Sequence, residues 1–188
     1  MIGKLPTTLK VDNIDYEIRT DYRDILVIMQ ACMDDELTDM EKIMVVLSIL
    51  FKDKIPKSTG TAYEKALWFL DGGQIQSEQS SQNQHMRPQL YDWEQDEQII
   101  FSAINKIAGY EVRDVKYMHW WTFIGLFNEI GEGMFSTVVR IREKKAKHKK
   151  LEKWERTFYN DNKDIIDLKR HKNKRSQAEK DALDALIG

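Results

Sequence analysis

A single cysteine, Cys32, stands among the 188 residues. No internal disulfide can form, and no multi-cysteine zinc site can be assembled. Apolar runs are short as well. None approaches the roughly 20 residues that a membrane span requires, and Met1 to Lys10 lacks a cleavable apolar segment. A reducing cytosolic compartment and no membrane association are expected. Glycine-rich phosphate loops are missing too, because Gly131-Glu132-Gly133 is acidic and has no lysine at the required distance. The four histidines, His85, His119, His148 and His171, never stand three to five residues apart, which argues against a zinc site. No cofactor and no metal are expected.

What is present suits one globular domain with appended elements: 41% of positions are hydrophobic and 32% charged. The net charge of -2 conceals an asymmetry. Residues 1–139 carry 13 Lys+Arg against 22 Asp+Glu, whereas residues 140–175 carry 15 against 6. A basic arm on an acidic body can bind nucleic acid, bind an acidic protein or fold back on its own body.

Near the start, Thr8-Leu9-Lys10-Val11 and Ile14-Asp15-Tyr16-Glu17-Ile18 alternate at the strand period around Asp12-Asn13. This predicts a small β-hairpin whose face of Leu9, Val11, Ile14, Tyr16 and Ile18 packs on helices or on another chain. From Asp21 the period becomes helical, with Ile25, Ile28, Met29 and Cys32 on one stripe. That position makes Cys32 a buried, inert thiol. Thr38 and Glu41 have capping-box spacing before a helix of about Asp39 to Phe51, with an apolar face of Ile43, Val46, Leu47 and Leu50. Thr61 to Glu64 repeats the signal for a third helix, closed by Gly72-Gly73.

Residues 74–90 form a composition break, with six Gln and three Ser in the sixteen residues from Gln74 to Gln89. A mobile spacer is predicted there. Beyond it, Asp92 can cap a helix bearing Ile99, Ile100, Ala103, Ile104 and Ile107 and ending at Gly109; further helices are predicted over His119 to Ile130 and Met134 to Ile141. After Arg142 the chain turns polar all round, and Leu151, Trp154, Phe158, Ile165, Ile166 and Leu168 are spaced too loosely for a deep core face. Ser176 to Ile187 reads as a short terminal helix. The expected fold is mainly α: a helical domain over 1–142 with an N-terminal hairpin, then a basic helical arm over 143–188.

Paired acids offer the only catalytic prospects. Asp92 and Asp96 stand a helical turn apart, and Asp34-Asp35-Glu36 cluster in a turn. Such pairs can act as acid and base or hold a metal, but capping and solvation account for them more simply. No enzyme is expected.

The densest feature is Tyr117-Met118-His119-Trp120-Trp121-Thr122-Phe123, with Phe127 a turn further on. Trp120, Phe123, Ile124 and Phe127 share one helical face, and Trp121 points elsewhere. A core face is the plain reading, with His119 a hydrogen-bonded core residue. A protein-binding surface of Trp120, Trp121, Phe123, Phe127 and Met134 is the sharper one, since Trp and Met favour interface centres.

Asp21-Tyr22-Arg23, then Tyr91-Asp92-Trp93-Glu94-Gln95-Asp96, then His119-Trp120-Trp121-Thr122-Phe123 resemble in order the motifs of the bacteriophage gene-product-fifteen family. The resemblance spans roughly Ile14 to Arg142. The family's usual motifs read Asp-Phe-Arg, Tyr-Asp-Phe-Glu-Gln-Asp and Leu-His-Trp-Trp-Lys-Phe. This chain has Tyr22, Trp93, Met118 and Thr122 at the differing places, and Ala108 to Val112 is only a loose counterpart of a Tyr-Gly-Ile-Asp segment. The resemblance implies a non-catalytic tail assembly chaperone of phages with long non-contractile tails, acting in the host bacterial cytoplasm. Its partners would be the tape-measure protein, the tail tube protein and copies of itself. Two other readings stand beside it. One is a structural tail component kept in the virion. The other is nucleic-acid binding through Lys144, Lys145, Lys147, Lys149, Lys150 and Lys153, for which a solvated helix with little aromatic interleaving is the simpler account.

Overall fold

The computed structural model describes residues 2–74 and 88–169. They fold into two compact units, one of residues 2–74 with 116–124 and one of residues 88–115 with 125–169. The basic stretch as far as Lys169 belongs to the second unit. Most of the Gln/Ser-rich spacer and the helix expected from Ser176 to Ile187 lie outside the described residues.

In the first unit, β1 (Thr8–Val11) and β2 (Ile14–Glu17) pair antiparallel, with Val11 opposite Ile14. Asp12 and Asn13 adopt φ of 50° and 64°, the two left-handed positions of a tight hairpin turn. Leu9, Val11 and Ile18 are buried, but Tyr16 is half-buried against Phe51 and Ile14 is 56% exposed. The expected face is thus covered only where another element lies against it.

Helix α1 (Tyr22–Met33) starts at Asp21, whose carboxylate accepts the Arg23 N–H at 3.0 Å. Ile25 and Ile28 are fully buried, while Met29 and Cys32 are half-buried at the stripe's edge. Burial pushes the Cys32 thiol up, against a smaller opposing pull from Lys42, so the thiol stays protonated and unreactive.

Helix α2 (Asp39–Leu50) carries the full capping box, with Glu41 Oε2 accepting the Thr38 N–H at 2.6 Å and Thr38 Oγ1 accepting the Glu41 N–H at 3.3 Å. Val46, Leu47 and Leu50 have no exposure. At its far end Arg19 donates to the carbonyls of Ile49 (2.6 Å) and Phe51 (3.3 Å), meeting acceptors that a helix end leaves unpaired.

Helix α3 (Thr59–Leu70) begins earlier than the signal at Thr61 suggests. The Ser58 hydroxyl before it is bonded to the Asp12 carboxylate instead of capping the helix. Helix α1 packs on α2, α2 on α3, and α3 on β1.

The second unit holds α4 (Glu97–Ala108), a 3-10 turn (Val112–Asp114), α6 (Met134–Ala146), α7 (Lys153–Asp161) and α8 (Lys163–Ile166). Helix α5 (Trp120–Asn128) gives residues 120–124 to the first unit and 125–128 to the second. Asp92 does not start α4: it caps a separate turn, accepting the N–H groups of Glu94 (2.9 Å) and Gln95 (2.7 Å). The buried stripe of α4 is Ile100, Phe101 and Ile104, with Ile107 38% exposed. Gly109 ends it at φ 79°.

The basic lysines do not wrap one helix. Helix α6 stops at Ala146, His148 takes φ 53°, and a new helix starts only at Lys153. Ile166, expected outside any core, is 1% exposed and packs with Val138 and Ile141, ringed by Leu151, Phe158 and Tyr159. Sequence spacing could not reveal this, because the core of this unit is assembled from segments about 25 residues apart. No described helix is long and apolar enough to cross a membrane.

Candidate functional site

The aromatic block enters α5 through a short backbone exchange with the start of α1. Tyr22 N–H donates to the Met118 carbonyl (3.0 Å) and Trp120 N–H to that of Thr20 (2.7 Å). Asp21 and His119 thereby face one another in an isolated antiparallel bridge. His119 is 3% exposed. Its Nδ1 accepts the Trp121 N–H at 3.0 Å, so Nε2 carries the proton and donates to the Pro6 carbonyl at 2.9 Å. Both ring nitrogens are occupied within the protein, as a core histidine requires.

Trp120 and Trp121 do something that the sequence does not announce. Their indole N–H groups donate to the carbonyls of Leu70 (2.8 Å) and Phe69 (2.9 Å), two of the last carbonyls of α3, the Phe69 one also accepting the Gly72 N–H at 3.2 Å. The Trp-Trp pair is therefore a side-chain cap on that helix. Trp120 is fully buried, and Phe123 beneath it stacks on Tyr22 with ring centres 4.5 Å apart and planes at 6°. Trp121 is half-buried, edge-on to Trp68 at 5.3 Å and close over Gly73. Gly72-Gly73 after α3 was a visible stop signal. That two indoles close over it follows only from the fold.

The other expected interface residues lie in the second unit. Phe127 is half-buried among Tyr91, Trp93 and Phe135 at centroid distances of 5.5, 4.9 and 5.6 Å. Met134 packs beside the Val138–Ile141–Ile166 core. Trp120, Trp121 and Phe123 form one cluster in the first unit, Phe127 and Met134 pack within the second, and none of the five is exposed.

Asp92 and Asp96 also turn out unlike a solvated acid pair. Asp96 is 1% exposed and lies against the guanidinium of Arg142, while Asp92 N–H donates to Asp96 Oδ2 at 2.9 Å. The carboxylate is saturated by structural donors. Among the described residues, no group of three or more His, Cys, Asp and Glu is arranged as metal ligands would be.

The basic stretch divides into two sets. Lys144 donates to both oxygens of the buried Glu155 (2.6 and 2.7 Å), Lys145 pairs with Asp167, and Lys147 with Glu143. Burial pushes the Glu155 carboxyl up, but the Lys144 hydrogen bond, the Glu152 N–H and the nearby Arg140 charge outweigh it and hold it below the usual range. Asp167 behaves alike, with burial opposed by Lys145 and Tyr159. Lys149, Lys150 and Lys153 are exposed and enter no ion pair among the described residues. Lys150 and Lys153 line a shallow surface groove with Leu151, Arg156, Thr157 and Asn160.

Neither the curated proteins nor the solved structures offer a match to this chain. One family model does match, that of the Bacteriophage Gp15 protein, and it runs through both units, over residues 1–168. With nearly the whole described chain inside that match, the protein belongs to the Bacteriophage Gp15 family.

Proposed function

We propose that this phage protein is a non-catalytic tail assembly chaperone, which binds the helical tape-measure protein in the host cytoplasm and releases it as tube subunits assemble. The family match over residues 1–168 carries the reading, since the family is associated with tail genes beside that of the tape measure. The burial of Trp120 and Phe123, with Trp121 half-buried against the end of α3, moves the expected contact to side chains left outside the cores. In the first unit these include Val27 on α1 (51% exposed) and Met40 on α2 (66% exposed). An apolar face of a partner helix can cover such side chains without any chemistry.

Co-expression with the tape-measure protein tests it. The tape measure is expected to stay soluble and to elute with this chain on size exclusion, and Val27→Asp with Met40→Asp is expected to weaken the complex while leaving the melting temperature in place. Aggregated tape measure and no shared peak would refute the chaperone. Mass spectrometry of purified virions separates it from a structural tail component, which would be retained.

A further inference from the structure

Three cations of the basic stretch line the α7 groove without an ion pair among the described residues. Lys153, Arg156, Thr157 and Asn160 follow one another at i, i+3, i+4 and i+7, on one face of α7, and Lys150 extends that face from the preceding loop. Lys150, Lys153 and Arg156 are all exposed and make no ion pair among the described residues. Glu152, the one acid in the groove, is already engaged by Lys144 at 3.6 Å and by the Trp154 indole at 3.0 Å. Half-buried Leu151 forms its apolar floor.

The charge that matches it is on the same chain. In the turn between α1 and α2 and at the start of α2, Asp35, Glu36 and Asp39 are exposed within five residues, next to Met40, which is 66% exposed. Three carboxylates and a thioether answer three cations and a leucine.

We propose that the α7 groove docks the Asp35–Met40 segment, the turn before α2 and its first two residues, of a second copy of this chain. Size and chemistry favour this occupant over nucleic acid. The face from Lys153 to Asn160 is about 10 Å long at 1.5 Å per residue, with no aromatic lining on which bases could stack. The net charge of -2 gives no long-range attraction for a polyanion. Because the two surfaces are different, the contact either adds copy to copy into rings or chains or is made twice in a two-fold dimer. It shares Met40 with the tape-measure reading but rests on the charges of Asp35 and Glu36, and it is tested without that partner.

Sedimentation velocity of the full chain at about 50 and about 500 mM NaCl reads the contact, since exposed pairs are screened over this range. Wild type is expected to grow in mass with concentration at low salt and to be monomeric at high salt. Lys150→Glu with Lys153→Glu and Arg156→Glu should weaken association about tenfold or more, and so should Asp35→Lys with Glu36→Lys; circular dichroism verifies that both variants fold. An equimolar mixture of the two should associate again, because each then offers the charge the other lacks. A wild type that stays monomeric at low salt overturns the proposal. So does a turn variant that associates like wild type, or a 20-residue-scale oligonucleotide that displaces the self-association through the same lysines.

Discussion

Arg142 grips Asp96 with both terminal nitrogens, Nη2 to Oδ1 at 2.9 Å and Nη1 to Oδ2, in a pair whose side chains are 5% and 0% exposed. The same guanidinium donates to the carbonyls of Ile166 (2.7 Å), Leu90 (3.0 Å) and Ile165 (2.6 Å). All five of its N–H groups are used. It thereby fastens the segment before α4 and the end of α8 to the middle of α6. A buried pair gains little over a well-packed apolar one, but losing one partner strands a charge.

Asp96→Ala and Arg142→Met are each expected to cost about 3–5 kcal/mol in urea denaturation. Arg142→Lys should be nearly as damaging, because an ammonium cannot reproduce the planar fork that reaches a carboxylate and three carbonyls at once. The double change Asp96→Leu with Arg142→Met should cost less than the two single changes added together. Single variants within about 1 kcal/mol of wild type would show that the knot is not a fastening point.

Glu155 links α7 to α6 through Lys144 and, at 3.7 Å, Arg140. Its carboxyl is held below its ordinary value of 4.5. A depressed carboxyl contributes stability that is fully present above the unfolded-state value and is lost as pH falls through the folded-state value. Neutral solutions should therefore show the contact intact, with loss beginning only below about pH 4.5. Glu155→Gln is expected to lower the melting temperature at pH 7 and to flatten the acid part of the pH profile. A variant whose profile keeps the wild-type acid limb would assign that limb to other groups, Asp167 first.

The elements that could be read ahead were those written within one turn of chain. Asp12-Asn13, the Thr38–Glu41 box and Gly109 each act on backbone two to four residues away, so spacing reveals them. Asp96 and Arg142 are 46 residues apart and Trp121 and the Phe69 carbonyl 52, and no local pattern encodes such partners. Spacing rightly marked Trp121 as off the α5 core face, but could not say that a second helix end waited there. The break after Ala146 was also hidden, because His148 takes a left-handed φ of 53° without a glycine or proline to signal it. The candidate site was legible as a family signature and not as an interface: of the motif residues, Tyr22, Asp92, Trp93, Asp96, His119, Trp120 and Phe123 are turned inward by the fold.

Gly73 sits at φ 81°, and a Cβ there would lie 2.6 Å from Trp121 Cη2. Gly109 has nearly the same φ, 79°, with nothing within 4 Å of its Cβ position. Gly109→Ala should cost only the left-handed backbone, about 1–2 kcal/mol. Gly73→Ala adds the displacement of a ring held by its own hydrogen bond, a further 1–3 kcal/mol or about that. In a Trp121→Ala background the excess should vanish and the two glycine changes should become equal. An excess that survives there would mean that the crowding comes from elsewhere.

Trp120 and Trp121 cap the same helix end but differ in burial, and that difference predicts different losses. Trp120→Ala empties a fully enclosed site and should cost about 3–5 kcal/mol, whereas half-buried Trp121 should cost less. Trp120→Phe keeps most of the ring and removes the donor to the Leu70 carbonyl, which isolates the unpaired acceptor at about 1–3 kcal/mol. These losses bear on how binding data are read. Any fall in tape-measure solubilisation by either tryptophan variant should track its unfolded fraction and recover when the temperature is lowered. Met40→Asp should instead weaken the complex at every temperature with an unchanged melting curve. If Trp121→Ala abolishes the complex while remaining fully folded, the indole reaches the partner directly, and the cap is only part of its work.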